Sequence, residues 1–254
     1  MSMHVFLNLR SGAKVNHVNH IGDSALMRAA HQNHSSLCEM LVKNGSNVNH
    51  GNNYENSALM LAAEKGHMST CEALIRCGAR VNQVTMLGYT ALMLSSLDGH
   101  QDVTAALIEY GADVDLMNQY GETALMLAAQ NNHLSICTNL IQAGCDVNKT
   151  KYSSGYSALM FAALNGYEDL CGSLINAGSE VNHANNSQET ALMLAAQNGH
   201  FSIFKELLKC GADINKTNHA GFTALVIAAH AGHHMMCSPL KIEQISFKES
   251  SQKV

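Results

Sequence analysis

The sequence predicts an all-α solenoid, a stack of short helix-turn-helix units joined by projecting, β-hairpin-like loops. Three observations carry that prediction. The pair Ala-Leu recurs at Ala25, Ala58, Ala91, Ala124, Ala158, Ala191 and Ala224, at spacings of 33 residues with a single 34. A second phrase, Gly-x-x-Val/Ile-Asn/Asp, keeps the same beat from Gly12 through Gly45, Gly78, Gly111, Gly144 and Gly178 to Gly211. A hydroxyl residue stands before every Ala-Leu pair, at Ser24, Ser57, Thr90, Thr123, Ser157, Thr190 and Thr223. Two phrases locked at this period are the signature of a repeat architecture.

Each element of the unit has a local cause. The hydroxyl caps the free N–H groups that open a helix. The first helix then runs from Ser57 to Lys65 in the second repeat, with Leu59, Ala62 and Ala63 on one face at i, i+3 and i+4. Small alanines on that face let a neighbouring helix approach closely. Gly66 and His67 turn the chain, and a second helix from Ser69 to Cys77 anchors through Leu74 and Ile75. Gly78 stops it in the left-handed conformation that glycine adopts without steric cost. The polar stretch from Val81 to Gly88 is the loop to the next unit.

With these residues in place, the chain resembles the ankyrin-repeat family, whose pattern runs roughly G-x-T-P-L-H-x-A-A-x-x-G-H, an apolar second helix, and G-A-D-V-N. Gly88 to Leu92, Gly99 with His100, Leu107 with Ile108, and Gly111 to Asp115 match it, and the resemblance covers roughly residues 5 to 238. One departure is consistent. Pro-Leu-His becomes Ala-Leu-Met, ending at Met27, Met60, Met93, Met126, Met160 and Met193, and Ala-Leu-Val at Val226. Alanine is a good helix former and methionine an adaptable apolar filler, so the fold should survive both changes. The repeats then fall at 20–52, 53–85, 86–118, 119–152, 153–185 and 186–218. A partial repeat precedes them at 1–19, an incomplete seventh follows at 219–239, and 240–254 is expected to be a disordered tail. Arg28, where later repeats carry Leu or an equivalent, suits a weak N-terminal cap. Pro239 stands where the last second helix should continue. Ser95 and Ser96 replace the alanine pair of the third repeat, with hydroxyls that can bond back to helix carbonyls. The extra residue of the fifth repeat falls in its loop, Lys149 to Tyr156.

Composition narrows the function. Eight cysteines follow the repeat: Cys38, Cys71, Cys137, Cys171 and Cys237 share one register with Thr104 and Phe204. A residue that exchanges with Phe on a helix is packing, and such thiols suit a reducing interior, cytoplasm or nucleus. No apolar run spans a membrane, and no secretion signal opens the chain. Between Val81 and Asn148 stand seven carboxylates and no Lys or Arg, namely Asp98, Asp102, Glu109, Asp113, Asp115, Glu122 and Asp146. That run is either a solvated surface or a docking zone for a basic partner, and it disfavours nucleic acid. The 15 histidines invite a metal reading that the period opposes. His34, His67, His100, His133, His200 and His233 repeat in one turn, and stacked helices lie roughly 8–10 Å apart, whereas zinc needs its ligands within about 2 Å. The family resemblance gives this His a tie between adjacent turns. No phosphate loop, zinc-protease motif or nucleophile elbow occurs. Neither enzyme, metal site nor cofactor is therefore expected.

What remains is a surface. The resemblance implies that loops and first helices line a concave groove that binds proteins, and that the chain is a scaffold or adaptor. The alternative is an inhibitor or microbial effector that occludes an enzyme. Candidate contacts are the loop residues Tyr54, Met86, Leu87, Leu116, Tyr120, Lys149, Tyr152 and Tyr156, with Asp113 and Asp115 steering a basic partner. The resemblance also implies hydroxylation of Asp-Val-Asn asparagines. Asn148 and Asn215 match best, with Leu140 and Leu207 eight residues upstream. The chain is expected to be an elongated monomer without crosslink or metal, so its melting temperature should be unaffected by reductant or by chelator. A fall of several degrees with either would reveal a missed bridge or site.

Overall fold

A computed structural model of the chain describes residues 14–237. It comprises two compact units, one ending at Gln119 and one beginning at Tyr120. The first holds α1 (Ala25–His31), α2 (Ser35–Lys43), α3 (Ala58–Glu64), α4 (Met68–Arg76), α5 (Ala91–Leu97) and α6 (Gln101–Glu109). The second holds α7 (Ala124–Gln130), α8 (Leu134–Gln142), α9 (Ala158–Asn165), α10 (Glu168–Asn176), α11 (Ala191–Gln197), α12 (Phe201–Lys209) and α13 (Ala224–His230). A 3-10 turn, His234–Met236, stands where a seventh second helix would begin. The expectations for the partial repeat before residue 14, for Pro239 and for the tail lie outside the described residues. No named strand occurs among the described residues; three isolated antiparallel bridges, such as Val18 with Ser24, mark the hairpin character of the loops.

The predicted caps are all present. The hydroxyls of Ser24, Ser57, Thr90, Thr123, Ser157, Thr190 and Thr223 each accept the N–H three residues on, Thr90 from Met93 at 3.1 Å. The helices begin one residue later than the cap, as capping geometry requires. Within each unit a first helix packs on the next first helix and on its own second helix. The Ala-Leu-Met side chains fill the interface between them. Met27, Met60, Met93, Met126, Met160 and Met193 are all but fully buried. Met60 also accepts the Ser57 N–H on its Sδ at 3.4 Å, so methionine keeps a trace of a polar tie. The expected histidine ties are made. Nε2 of His67 meets the His31 carbonyl at 3.1 Å, that of His100 the Glu64 carbonyl at 2.8 Å, and that of His200 the Leu164 carbonyl at 3.2 Å. Glycine beneath the ring makes room: a Cβ on Gly66, whose φ is +69°, would lie 2.5 Å from His100 Nδ1. Asn33 and Asn132 take the same left-handed turn in place of glycine, which asparagine tolerates.

All eight cysteines are free thiols. Burial pushes Cys38, Cys71, Cys137 and Cys171 up to about 12 from the ordinary 9.0. The native chain holds these protons longer than the unfolded one, so their contribution to stability is complete below pH 9 and is lost as pH climbs towards 12. Denaturant melts should therefore show stability declining above about pH 9, with the native spectrum unchanged below it.

The third repeat departs in part from its expectation. Ser95 Oγ donates to the Leu92 carbonyl at 3.1 Å and pairs with Thr104 at 3.0 Å. Ser96 Oγ is buried with no partner, where the other repeats carry alanine. An unmet buried hydroxyl costs about 1–3 kcal/mol. Ser96→Ala should accordingly raise unfolding stability by about 1 kcal/mol, while Ser95→Ala should lower it by a similar amount by stranding Thr104. Urea denaturation of the two variants checks both signs.

Candidate binding surface

The loops are held by side chains that the repeat places at fixed register. Asn52 Oδ1 accepts from the N–H groups of Tyr54 at 3.0 Å and Asn56 at 3.1 Å, closing a tight turn. Asn19, Asn185 and Asn218 do the same for their own loops. Consecutive loop tips are then stitched backbone to backbone. In the first unit the Met86 N–H donates to the Tyr54 carbonyl at 3.0 Å and the Gln119 N–H to the Leu87 carbonyl at 3.0 Å. In the second the Tyr152 N–H donates to the Tyr120 carbonyl at 3.0 Å.

A second ladder uses the asparagine after each stop glycine. Asn49 accepts the Arg80 N–H at 2.7 Å and donates to the Gly78 carbonyl at 3.1 Å; Asn82 ties Asp113 and Gly111 likewise. Asn148 grips Glu180 at 2.8 Å and Gly178 at 3.2 Å, so its amide is committed on both sides. Asn215 is exposed, and its own N–H donates to Asp213 at 2.9 Å. The loop histidines are also ties: His50 Nε2 meets the Gly22 carbonyl and His183 Nε2 the Gly155 carbonyl, each at 2.9 Å.

On this frame the predicted contacts divide. In the first unit Tyr54, Met86 and Leu87 are 60%, 57% and 46% exposed. With Tyr89, Thr85 and Leu94 they line an open groove of about 280 Å3. Asp113 is exposed and accepts the Asp115 N–H at 3.0 Å, whereas Asp115 and Leu116 are half-buried. On the neighbouring first helices Lys65 pairs with Glu64 at 2.9 Å, and Asp98 lies near enough to help hold that ammonium protonated. In the second unit Tyr120 and Tyr152 are exposed, and the Tyr152 ring lies over Gly121, where a Cβ would come within 2.6 Å of it. Lys149 is half-buried. Tyr156 is a packing residue: its ring sits 5.3 Å from that of Phe161, its phenol pairs with Asn185, and burial together with Glu189 raises its pKa.

Three features escaped sequence reasoning. A groove of about 410 Å3 opens beside Glu189, Phe222 and Ile227. Another of about 390 Å3 runs between α10 and α12, lined by Glu168, Asp169 and Glu206. Lys151 reaches a buried Glu122 at 2.6 Å, 29 residues back along the chain. The signal for that last pair was the lysine itself, which stands where the other loops carry a turn-closing asparagine or, at Thr85, a threonine. Among the described residues no group of three His, Cys, Asp or Glu could hold a metal ion, and no helix is long and apolar enough to cross a membrane.

Comparison with known proteins agrees with this geometry. A family profile for ankyrin repeats matches residues 2–85, 59–151 and 153–248. The crystal structure of the human ASB11 ankyrin repeat domain superposes with a TM-score of 0.73 at 26% identity, over 81% of this chain and 92% of that one. The ankyrin repeat domain of Bcl-3, a member of the IkappaB protein family, superposes with a TM-score of 0.76 at 25% identity, over 85% and 99% of the two chains. No curated protein matches in sequence.

Proposed function

Because this chain belongs to the ankyrin-repeat family, we propose that it is a non-catalytic interaction module that holds a protein partner against its loop tips and first helices. Domains of this family generally bind proteins. The observation that carries the reading here is the display of Tyr54, Met86 and Leu87 on loops whose backbones are tied to one another. None of the three is needed to cover the core, and Tyr and Met are enriched at interfaces. Loops fixed before binding lose little freedom on contact, so more of the contact energy appears as affinity.

The first unit from Val81 to Gln119 carries five carboxylates and no Lys or Arg, which supports a basic partner. Asp113 and Asp115 steer that partner in this reading, and Tyr120, Lys149 and Tyr152 are the candidate contacts of the second unit, taken by itself. Eight free thiols support a reducing compartment. Of the two candidate hydroxylation sites, the exposed Asn215 is the more accessible to an enzyme.

The test is a kinetic one on a captured partner. Met86→Ala together with Leu87→Ala should speed dissociation, at a cost of about 2 kcal/mol. Asp113→Asn with Asp115→Asn should instead slow association and flatten its salt dependence. Neither pair should lower the melting temperature, since the side chains lie outside the core. Binding that survives both pairs but is abolished by substitutions at Glu72 and Arg76, on a second helix, would overturn the reading.

A further inference from the structure

The hairpin loops carry a rung whose two partners stand 29 residues apart. In three places the last loop residue before a helix cap bonds the turn-closing residue of the following repeat. Asp23 Oδ1 accepts from Asn52 Nδ2 at 2.9 Å, Tyr156 pairs with Asn185, and Glu122 Oε1 accepts from Lys151 Nζ at 2.6 Å. The Glu122 rung is the informative one. The Glu122 side chain is only 8% exposed and the chain supplies its own cation.

The same rung recurs as Glu189 with Asn218, and there the chemistry is different. Asn218 closes its turn with Oδ1, accepting from the N–H groups of Ala220 and Phe222, both at 3.0 Å, but unlike Asn52 it makes no side-chain bond back to the preceding loop among the described residues. Glu189 Oε2 instead accepts from Asn185 of its own loop at 2.9 Å. No Lys or Arg pairs with Glu189 among the described residues. Where Lys151 fills the equivalent place, the Glu189 side opens into the groove of about 410 Å3. Phe222, 48% exposed, and Ile227 give it an apolar wall, and Gln197 and His230 line it with Glu189.

We propose that this groove is a socket for an arginine side chain of a protein partner, with Glu189 as its carboxylate and Phe222 as its stacking face. The Glu122–Lys151 rung is an example in the same fold of a glutamate at this register taking a cation. Arginine fits better than lysine because its planar guanidinium stacks on an aromatic face while its N–H donors, pointing outward in its own plane, stay available to a carboxylate. Its methylene stem has Ile227 and Phe222 to lie against. Gln197 supplies a further carbonyl acceptor on the rim. The socket rests on the reading that the chain binds proteins, but it is separate from the Tyr54–Leu87 groove.

The test uses the full chain and the peptide acetyl-Gly-Leu-Arg-Leu-Gly-amide, followed by amide NMR. Saturable shifts at Glu189, Phe222 and Ile227 are expected, about tenfold weaker when citrulline, the neutral isostere, replaces arginine. Glu189→Gln should weaken binding to the same extent. Asn218→Lys should abolish it by recreating the Glu122–Lys151 arrangement, with an otherwise native spectrum confirming the fold. Leu87→Ala should leave the response intact, so loss of the loop-tip groove and loss of the socket are distinguishable. Equal binding of the citrulline peptide would overturn the proposal. So would a response that appears only after Lys241→Gln, because the occupant would then be the chain's own terminus.

Discussion

A seven-residue helix cannot hold itself together in water, and the structure depends on the remedy. Nucleating so short a helix costs more than its few internal hydrogen bonds return. Every first helix here, from α1 to α13, has seven or eight residues. Each is closed at its start by a hydroxyl and covered on its flat alanine face by a neighbour. The neighbour is therefore part of the helix's own stability, and stability becomes a sum over adjacent contacts. The polar ladders follow from the same dependence. Histidine, stop-glycine asparagine and loop-tip backbone reach 28 to 36 residues along the chain to the adjoining repeat. They fix the register of surfaces that small apolar side chains alone would leave free to slide.

That dependence also explains the division between core and surface. Positions that meet a neighbour are nearly invariant, such as the six buried methionines. Positions that face outward vary from repeat to repeat, as at Tyr54, Leu87, Tyr120 and Tyr152. The same contrast runs through the rungs, where Asp23, Glu122, Tyr156 and Glu189 occupy one place with different chemistry. One scaffold can thus offer an internally satisfied carboxylate at Glu122 and an outward-looking one at Glu189.

Much of the fold was legible because its causes are local. Caps, glycine stops and the helix faces are written within nine residues of one another, and all seven caps fell where the hydroxyls stood. At Ser57, Lys65 and Cys77 the error of one residue comes from counting the cap as helix, whereas the second helix begins at Met68, one residue ahead of the expected Ser69. What was not legible depends on partners a full repeat away. Nothing near His50 or His183 in sequence announces that each bonds the preceding loop, and Asn148, a candidate modification site, also clamps the next repeat. Tyr156 read as a displayed aromatic because nothing near it in sequence announces Phe161 as its stacking partner. The buried, unpaired Ser96 likewise looks identical to Ser95 until Thr104 is placed beside one and not the other.

The histidine ladder has a further consequence for the polarity of the chain. Each ring nitrogen Nε2 faces a backbone carbonyl, which can only accept, so Nε2 must carry the hydrogen. The tautomer is thereby settled by the backbone. Every one of these ties runs the same way: the later repeat donates and the earlier one accepts. The direction of the chain is thus written into the side-chain bonds between its repeats, as it is written into the N–H and C=O groups of a helix.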